Sequence, residues 1–203
     1  MKIIELINVS KSYKSPVLTE LNYIFLGSKT YLIVGENGSG KTTLIKLILG
    51  LINPTTGRLN KTTNNISYIP DYLHFPEYLK INMFLYNLGL IYNLDQSILK
   101  EKINYFLDAW SLDGNYKLNE LSKGMKQKVL IIQALLKDGD IFIFDEPLNG
   151  LDVDIQGLFF LELKKLRNKK KTIILITHNV NEYNGLYDYK LRIINGRLNE
   201  EFN

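Results

Sequence analysis

The stretch GENGSGKTT, which runs from Gly35 to Thr43, decides the fold of this chain. It fits the pattern G-x-x-x-x-G-K-[ST]. The apolar run KTYLIVG (29–35) precedes it, and GKTTLIKLILGL (40–51), with apolar residues at helical spacing, follows it. A glycine-rich turn before an ordinary helix is the alternative. The spacing and both flanks instead favour a phosphate-binding loop between a buried strand and a helix.

Each part of this loop has a chemical role in binding phosphate. The glycines let the backbone adopt positive φ and approach a ligand closely. Successive N–H groups and the helix N-terminus then attract anionic oxygens. Lys41 supplies a charge for the β- and γ-phosphates, and Thr42 offers a hydroxyl to Mg²⁺. The predicted nucleotide-binding residues are Gly35, Glu36, Asn37, Gly38, Ser39, Gly40, Lys41, Thr42 and Thr43.

A pair of acids ends the second apolar strand, DIFIFDEP (140–147). A Mg²⁺ ion on phosphates needs a carboxylate at the end of a neighbouring strand, and Asp145 has that position. Glu146 is one residue further along and points another way, so it could instead polarise an attacking water. General-base assistance of this kind contributes about 10²–10⁴-fold in rate. A strand-ending turn with solvated acids is the alternative.

One histidine also follows a predicted strand. His178 comes directly after TIILIT (172–177), whereas His74 has no such context. Ligands of open α/β sheets bind at the carboxyl ends of the strands. We therefore expect His178 to contact a γ-phosphate at the same edge as Gly35 and Glu146, although a surface histidine is the simpler alternative.

The bulk properties indicate one ordinary globular domain. The chain has 203 residues, 45% of them hydrophobic, and a net charge of +4. It has no cysteine, which excludes a disulfide framework and a cysteine metal site. The opening MKIIELINVSKSYK does not have the pattern of a signal peptide, and no apolar run approaches the roughly 20 residues of a membrane span. We expect a cytoplasmic protein.

The order of elements predicts an α/β fold. Strands at 29–35, 140–147 and 172–179 alternate with helices at 40–51, 124–138 and 153–171, which favours a parallel sheet. An opening strand is predicted at KIIELINVSKSY, a short hairpin at 58–70, and a closing hairpin around Asn195-Gly196. Between them, the patterns NMFLYNLGLIYNL and SILKEKINYFLDAWSL predict helices, so residues 72–122 read as a helical insertion.

These motifs, taken together and in this order, resemble the ATP-binding subunit of ABC (ATP-binding cassette) transporters, over nearly the whole chain. GENGSGKTT resembles the Walker A motif, and IFIFDEP resembles Walker B with its catalytic glutamate. LNGLD (148–152) resembles the D-loop, with Asp152, and ITHN resembles the switch-histidine strand. The resemblance implies a P-loop NTPase fold, 1–203, with a mainly parallel core, an antiparallel β subdomain and a helical subdomain. It implies ATP and Mg²⁺ as cofactors, and Glu146, His178 and Lys41 as catalytic residues.

The resemblance assigns two further nucleotide contacts. Tyr13 falls where the family stacks an aromatic ring on adenine, although it is also one of 13 tyrosines. LSKGMKQK (121–128) falls at the family signature, LSGGQ, which contacts the γ-phosphate on a second subunit across a head-to-tail dimer. The signature residues are Ser122, Lys123, Gly124 and Met125. Lys123 replaces a glycine and Met125 replaces the glutamine, as in SxGM forms of bacterial exporter cassettes.

A third position departs from the family more clearly. After ISYIP the family has a glutamine that touches Mg²⁺ and the attacking water, and here the residue is Asp71. Exporters of lantibiotic immunity are similar, because they carry glutamate there. Asp71 is therefore assigned to the metal site with Thr42 and Asp145. The aromatic residues that follow are expected to be mostly core, with those nearest Asp71 forming a groove for a permease helix: Tyr72, Phe75, Tyr78, Phe84, Tyr86 and Tyr92.

The resemblance implies a subunit that binds and hydrolyses ATP to power transport, in the export direction, through a separate membrane permease. The expected partners are a second copy of the chain and that permease, with no nucleic acid, at the inner face of the cell membrane. No regulatory domain is expected after the closing hairpin. One alternative is a non-transport cassette acting on ribosomes or DNA, whose members usually carry paired cassettes or coiled-coil insertions. Another is a subunit with degraded activity, because of Asp71 and Lys123.

Overall fold

A computed structural model describes residues 1–71 and 74–201 of the chain. Tyr72, predicted above as part of the aromatic segment, lies outside the described residues. The chain divides into two compact units. The first unit comprises Met1–Ile66, Asp140–Glu146 and Leu166–Asn203, and the second comprises Ser67–Gly139 and Pro147–Lys165. Within the described residues, no helix combines the length and the apolar character that a membrane crossing requires.

Strands and helices alternate through most of the chain, as the sequence predicts. The strands are β1 (Lys2–Ser12), β2 (Pro16–Leu26), β3 (Thr30–Val34), β4 (Thr56–Lys61), β5 (Ile66–Ile69), β6 (Ile141–Asp145), β7 (Thr172–Ile176), β8 (Tyr189–Ile194) and β9 (Arg197–Glu201). The helices are α1 (Lys41–Leu49), α2 (Ile81–Ile91), α3 (Gln96–Ala109), α4 (Lys123–Lys137) and α5 (Val153–Asn168).

The larger sheet is mainly parallel, with the strand order β5-β6-β7-β3-β8-β9. β3, β6 and β7 are buried at every position, which explains why their sequences are continuous apolar runs. The β8–β9 hairpin closes through Asn195 and Gly196, both with positive φ, as a two-residue turn requires. The predicted parallel core is therefore confirmed.

A three-stranded antiparallel sheet, with the order β2-β1-β4, makes up the rest of the strands. It confirms the expected antiparallel element, but the predicted hairpin at 58–70 is wrong. β4 pairs with β1, with Leu59 opposite Leu6, while β5 joins the larger sheet. The two halves of this segment differ in burial, since β4 is mostly exposed whereas Ile66 and Ile69 are buried. The segment crosses from one sheet to the other.

The sequence patterns did not predict β2, and its backbone explains why. The β1–β2 register shifts at several points, and Asn8 and Glu20 have positive φ at two of these irregularities. Each bulge resets the alternation of buried and exposed residues. The strand therefore lacks the strict period of two by which half-buried strands are recognised.

The second unit contains α2, α3, α4 and most of α5. Trp110 and Phe84 are buried in it. The expectation that most of the aromatic segment forms core is wrong for the described residues, because Phe84 is the one buried member and Tyr78 is 79% exposed. Phe84 and Tyr86 are two positions apart on α2, so they point to different sides of the helix and cannot both face one core. A functional subdomain boundary at 72 and 122 stays a prediction.

Gly57 is expected to be essential for the smaller sheet. Its φ is +81°, and a Cβ there would lie 2.2 Å from the carbonyl oxygen of Asn8. Gly57→Ala should lower the free energy of unfolding by about 2–5 kcal/mol, from left-handed strain and overpacking together. Gly185 is the matched control, since its φ is +76° with nothing within 4 Å. Gly185→Ala should cost only about 1–2 kcal/mol. Equal losses in urea unfolding would contradict the packing argument.

Candidate functional site

Three strand ends meet at one edge of the larger sheet. β7 lies between β3 and β6, and Ile176 pairs with Ile33 on one side and with Asp145 on the other. The residues that follow each strand are Gly35, Glu146 and Thr177. This register brings the glycine loop, the acid pair and the histidine strand to the same edge of the first unit. The sequence-based expectation of convergence at this edge is therefore met by the structure.

The loop from Gly35 to Gly40 needs its glycines for two separate reasons. Gly38 and Gly40 have φ of +81° and +111°, a region that glycine enters at little cost. Space is equally limiting, because a Cβ on Gly40 would lie 2.6 Å from Leu18 Cδ2. Gly40 is the N-cap of α1 and offers no side-chain cap. The N–H groups of the first turn are thus left for an anionic ligand.

The side chains of this loop are arranged around its carbonyl groups. Lys41 Nζ donates to the carbonyl oxygen of Gly35 at 2.6 Å and to that of Glu36 at 2.9 Å. The hydroxyl of Ser39 is buried and has no hydrogen-bond partner among the described residues. A cleft of about 710 Å³ borders the loop and is lined by residues 15–17, 35–39 and 192–196. Its volume is in the ordinary range for a small-molecule site.

Tyr13 lies in the bend after β1, and 59% of it is exposed. The ammonium of Lys11 lies 5.3 Å from the ring centroid. The Tyr13 ring lies in the first unit, which also contains the glycine loop. Its exposed surface could stack on a base. Its assignment to adenine stays a prediction.

The Glu146 carboxylate has hydrogen-bond partners on both of its oxygens. Its Oε1 accepts from the backbone N–H of His178 at 3.0 Å and lies 2.8 Å from His178 Nδ1. Its Oε2 accepts from the hydroxyl of Thr177 at 3.1 Å. Glu146 has a φ of +48°, and its own N–H donates to the carbonyl of Ile176. Two strand ends thus hold this carboxylate in one orientation.

Thr177 was missed by sequence reasoning, although its position directly after β7 was the available signal. It is buried, and its hydroxyl both donates to Glu146 and accepts from the N–H of Asn179. It orients the acid rather than meeting solvent. The expectation for His178 was a phosphate contact. The structure also makes it the hydrogen-bond partner of Glu146.

The hydrogen bond to Glu146, together with the charge of that carboxylate, raises the pKa of His178 above its ordinary value of 6.5. The imidazole is 68% exposed, so solvent screens much of this interaction. The neighbouring Glu146 carboxylate favours the protonated form of His178. Because the hydrogen bond to Glu146 uses Nδ1, the Nε2 atom of His178 remains available to a ligand.

Thr42 and Asp145 are the predicted metal ligands of the first unit. Asp145 is the last residue of β6 and only 7% exposed, and Thr42 lies exposed in the first turn of α1. Within the described residues, no group of three His, Cys, Asp or Glu side chains is arranged to hold a metal. A hydroxyl and one carboxylate suit Mg²⁺, which keeps waters and arrives with phosphate oxygens. These residues fit a nucleotide-borne ion.

The signature residues lie at the start of α4, in the second unit. Ser122 is the N-cap, and its hydroxyl accepts from the N–H of Met125 at 3.2 Å. The predicted cap is therefore present. A Cβ on Gly124 would lie 2.9 Å from the carbonyl oxygen of Gly150, so the helix start and the loop 147–152 are in close contact. Lys123 is exposed.

Two more predicted residues lie in the second unit. Asp152 caps α5, because its Oδ1 accepts from the N–H of Ile155 at 2.9 Å. Asp71 is exposed, and its Oδ1 accepts from Asn149 Nδ2 at 3.2 Å. Sequence reasoning quoted Asn149 only as part of LNGLD and gave it no role, and no sequence signal links it to Asp71.

The family follows from comparison with known sequences. The sequence model described as "ABC transporter" matches residues 18–149 of the 203. The chain belongs to the ABC transporter family. The match includes the glycine loop, the signature residues, Asp145 and Glu146, whereas Tyr13, Asp152 and His178 lie outside it.

Several relatives of this ABC-family chain are ATP-binding subunits. It is 30% identical over 88% of its length to an ABC transporter ATP-binding protein of Mycoplasma pneumoniae, and it spans 59% of that protein. It is 29% identical over 96% of its length to the Nod factor export ATP-binding protein I of Cupriavidus pinatubonensis, of which it spans 64%. It is 32% identical to the lipoprotein-releasing system ATP-binding protein LolD of Wigglesworthia glossinidia brevipalpis, covering 98% of this chain and 96% of LolD.

Solved structures of ABC cassettes share the fold. One ATP-binding subunit of an ABC transporter superposes with a TM-score of 0.91 over 98% of this chain and 89% of its own, at 26% identity. A dimeric post-hydrolysis state of an ATP-binding cassette bound to ADP and Pi superposes with a TM-score of 0.88 over 98% of each chain, at 25% identity. The predicted P-loop NTPase fold is confirmed.

The Glu146–His178 pair predicts a pH dependence. A folded-state pKa above the unfolded value means that the pair's stabilisation is fully present below pH 6.5 and is lost as the pH rises through the raised pKa. Glu146→Gln should move the pKa of His178 down towards its ordinary value, measured by NMR titration of the imidazole C2 proton. The signal of His74 reports whether the substitution disturbs the fold. An unchanged His178 titration would contradict the pairing.

Proposed function

We propose that this chain is the ATP-binding and hydrolysing subunit of an ABC transporter and that it powers export through a separate membrane permease. The observation that carries the proposal is the Glu146 carboxylate, oriented by Thr177 and His178 at the strand edge that also bears the glycine loop. Family membership and relatives named for Nod factor export and lipoprotein release support it. We propose export as the direction of transport for two reasons. One is the signature variant SKGM (122–125), and the other is the name of the relative from Nod factor export.

The proposed ligands are ATP and Mg²⁺. The N–H groups of the loop and the first turn of α1 bind the phosphates, and Lys41 exchanges its two carbonyl acceptors for phosphate oxygens. The unpaired hydroxyl of Ser39 is available to a ligand at the loop. Tyr13 stacks on the adenine. Thr42 and Asp145 would hold Mg²⁺, with Asp71 as a further oxygen ligand or water contact, and the ion would neutralise charge on the phosphates.

Hydrolysis in this proposal depends on the orientation of Glu146. A general base must present one fixed lone pair to the attacking water, and both of its oxygens are fixed by hydrogen bonds from β7's end. Glu146 would accept the proton of the water as the water oxygen bonds to the γ-phosphorus, while the bond from that phosphorus to the β–γ bridging oxygen breaks and ADP leaves as the second product. His178, bonded to Glu146 through Nδ1, presents Nε2–H to the γ-phosphate and stabilises its developing charge.

The second half of the site comes from another copy of the chain. Ser122 caps α4, and Gly124 leaves the first-turn N–H groups uncovered by a side chain of its own. We propose that these groups meet the γ-phosphate bound by the partner copy, with Asp152 at the same interface. The dimeric cassettes among the similar structures support a dimer, and its head-to-tail arrangement is part of the proposal.

We propose an integral membrane permease as the remaining partner, because relatives are named as ATP-binding proteins of a Nod factor export system and of a lipoprotein-releasing system. We propose that the chain binds that permease at the cytoplasmic face of the membrane. The ribosomal or DNA alternative has no support in the motifs or the relatives. Degraded activity, suggested by Asp71 and Lys123, is tested by measuring ATP hydrolysis directly.

Glu146→Gln should bind ATP, form dimers with ATP and hydrolyse it about 10²–10⁴-fold more slowly than wild type, because a neutral amide cannot accept the proton of water. The measurement is phosphate release under saturating ATP and Mg²⁺, together with sedimentation of the ATP-bound protein.

Glu182→Gln is the matched control. Glu182 also lies just after β7, but its carboxylate accepts from Asn179 Nδ2 at 2.8 Å, not from His178. It should retain near-wild-type turnover. Near-wild-type turnover in Glu146→Gln would overturn the assigned base, and no turnover in wild type, alone or with its permease, would favour a degraded ATPase.

A further inference from the structure

Thr177 directly follows β7 and is held in place by hydrogen bonds on both sides of it. It is only 2% exposed, and its backbone N–H donates to the carbonyl oxygen of Ile33 in β3 at 3.3 Å. Its hydroxyl oxygen accepts from the backbone N–H of Asn179 at 3.0 Å. A threonine side chain has few χ1 choices, because two heavy atoms are attached to its Cβ. The hydroxyl of Thr177 therefore has a fixed position at the strand edge of the first unit.

The same contacts decide where the hydroxyl proton of Thr177 points. A hydroxyl has one proton to donate and an oxygen that can accept. The oxygen accepts from Asn179, and it lies 3.1 Å from Glu146 Oε2. An ionised carboxylate has no proton to donate, so the proton in this second bond belongs to Thr177. Because Thr177 is buried, water has little access to compete for this donor.

The two oxygens of the Glu146 carboxylate are occupied to different extents. An ionised carboxylate offers about four lone-pair positions, two on each oxygen. Oε1 uses both, because it accepts from the backbone N–H of His178 at 3.0 Å and from protonated His178 Nδ1 at 2.8 Å. Oε2 accepts from the Thr177 hydroxyl, and residues 1–71 and 74–201 supply no second donor to it. The lone pair that remains for a water molecule is therefore on Oε2.

We propose that Thr177 is a positioning residue whose hydroxyl occupies one lone pair of Glu146 Oε2 and directs the other towards the attacking water. The inference rests on the proposed function, in which Glu146 is the general base. In that step the water oxygen bonds to the γ-phosphorus, the bond from that phosphorus to the β–γ bridging oxygen breaks, and the water proton moves to Oε2. The last side-chain torsion of a glutamate is broad, so a restraint on the second oxygen is needed to fix its direction.

The test removes the Thr177 hydroxyl and measures kcat and KM for ATP by phosphate release. Thr177→Val keeps nearly the same shape and should lower kcat by about 10–100-fold, because a misplaced catalytic group loses rate on this scale. KM for ATP should change little, since the loss falls on the transition state. Thr177→Ala, which also lacks the donor and takes no more space, should show the same loss. Thr177→Ser, which keeps a hydroxyl, should recover most of the wild-type rate.

Thr172→Val is the matched control. Thr172 is the first residue of β7 and is 1% exposed, and its hydroxyl oxygen accepts from the backbone N–H of Ser28 at 3.0 Å. This variant should lower the melting temperature as Thr177→Val does but keep the wild-type kcat. A second comparison adds Thr177→Val to Glu146→Gln. The double variant should be no slower than Glu146→Gln alone, because a residue that acts through Glu146 then has no base left to position.

Each outcome decides the inference. Wild-type kcat in Thr177→Val, with Glu146→Gln still slow, would overturn it while leaving the proposed function intact. An equal loss of kcat in Thr172→Val, no recovery in Thr177→Ser, or a further loss in the double variant would also overturn it, because Thr177 would then act only on the fold. If the wild-type protein does not hydrolyse MgATP, alone or with its permease, or if Glu146→Gln is as fast as wild type, the proposed function itself fails and the inference fails with it.

Discussion

The parallel register of β7 with its two neighbours is the constraint on which the site depends. Ile176 is paired with Ile33 in β3 and with Asp145 in β6, so the three strands end level with one another. Any slip by one residue would turn a strand's side chains to the opposite face. Burial of every side chain in these three strands opposes such a slip, because a shifted strand would lose close packing on both faces. Catalytic geometry is thus stabilised by the hydrophobic core.

This register places two carboxylates, those of Asp145 and Glu146, at the same edge of the sheet. Their surroundings differ, and each therefore suits a different role. Asp145 is the last residue of its strand and is buried, whereas Glu146 leaves the strand with a positive φ and turns towards Thr177 and His178. Adjacent residues with similar chemistry thereby face different partners. One acid suits an ion and the other suits a water, in keeping with their proposed roles.

The sequence predicted most strands of the larger sheet and the edge at which the glycine loop, the acids and the histidine meet, because these features depend on local signals. The apolar runs, the glycine loop and the strand-end acids are each contiguous in the chain. The errors have non-local causes. The false hairpin at 58–70 arose because two strands close in sequence pair with distant strands, and β2 was hidden by bulges at Asn8 and Glu20. The Asn149–Asp71 bond joins residues 78 positions apart, so no local pattern could reveal it.

The two units contribute to the proposed site in different ways. The first unit holds the loop, the acids and the histidine. The second holds the capped start of α4 and Asp71, which accepts from Asn149. Under the proposal each copy of the chain supplies the loop, the acids and the histidine to its own nucleotide, and the capped start of α4 to its partner's nucleotide. The lysine in place of the first signature glycine is compatible with this arrangement, since its stem packs on Gly150 within its own chain.

Subunit mixing tests this shared site most directly. Lys41→Ala removes the phosphate-binding charge, and Ser122→Arg obstructs the signature, so each variant alone should be inactive. In a mixed head-to-tail dimer, one site combines both defects while the other has an intact Lys41 and an intact Ser122. The account predicts that mixing the two inactive variants restores ATP hydrolysis. A mixture that stays as inactive as its components would contradict a site built from two copies.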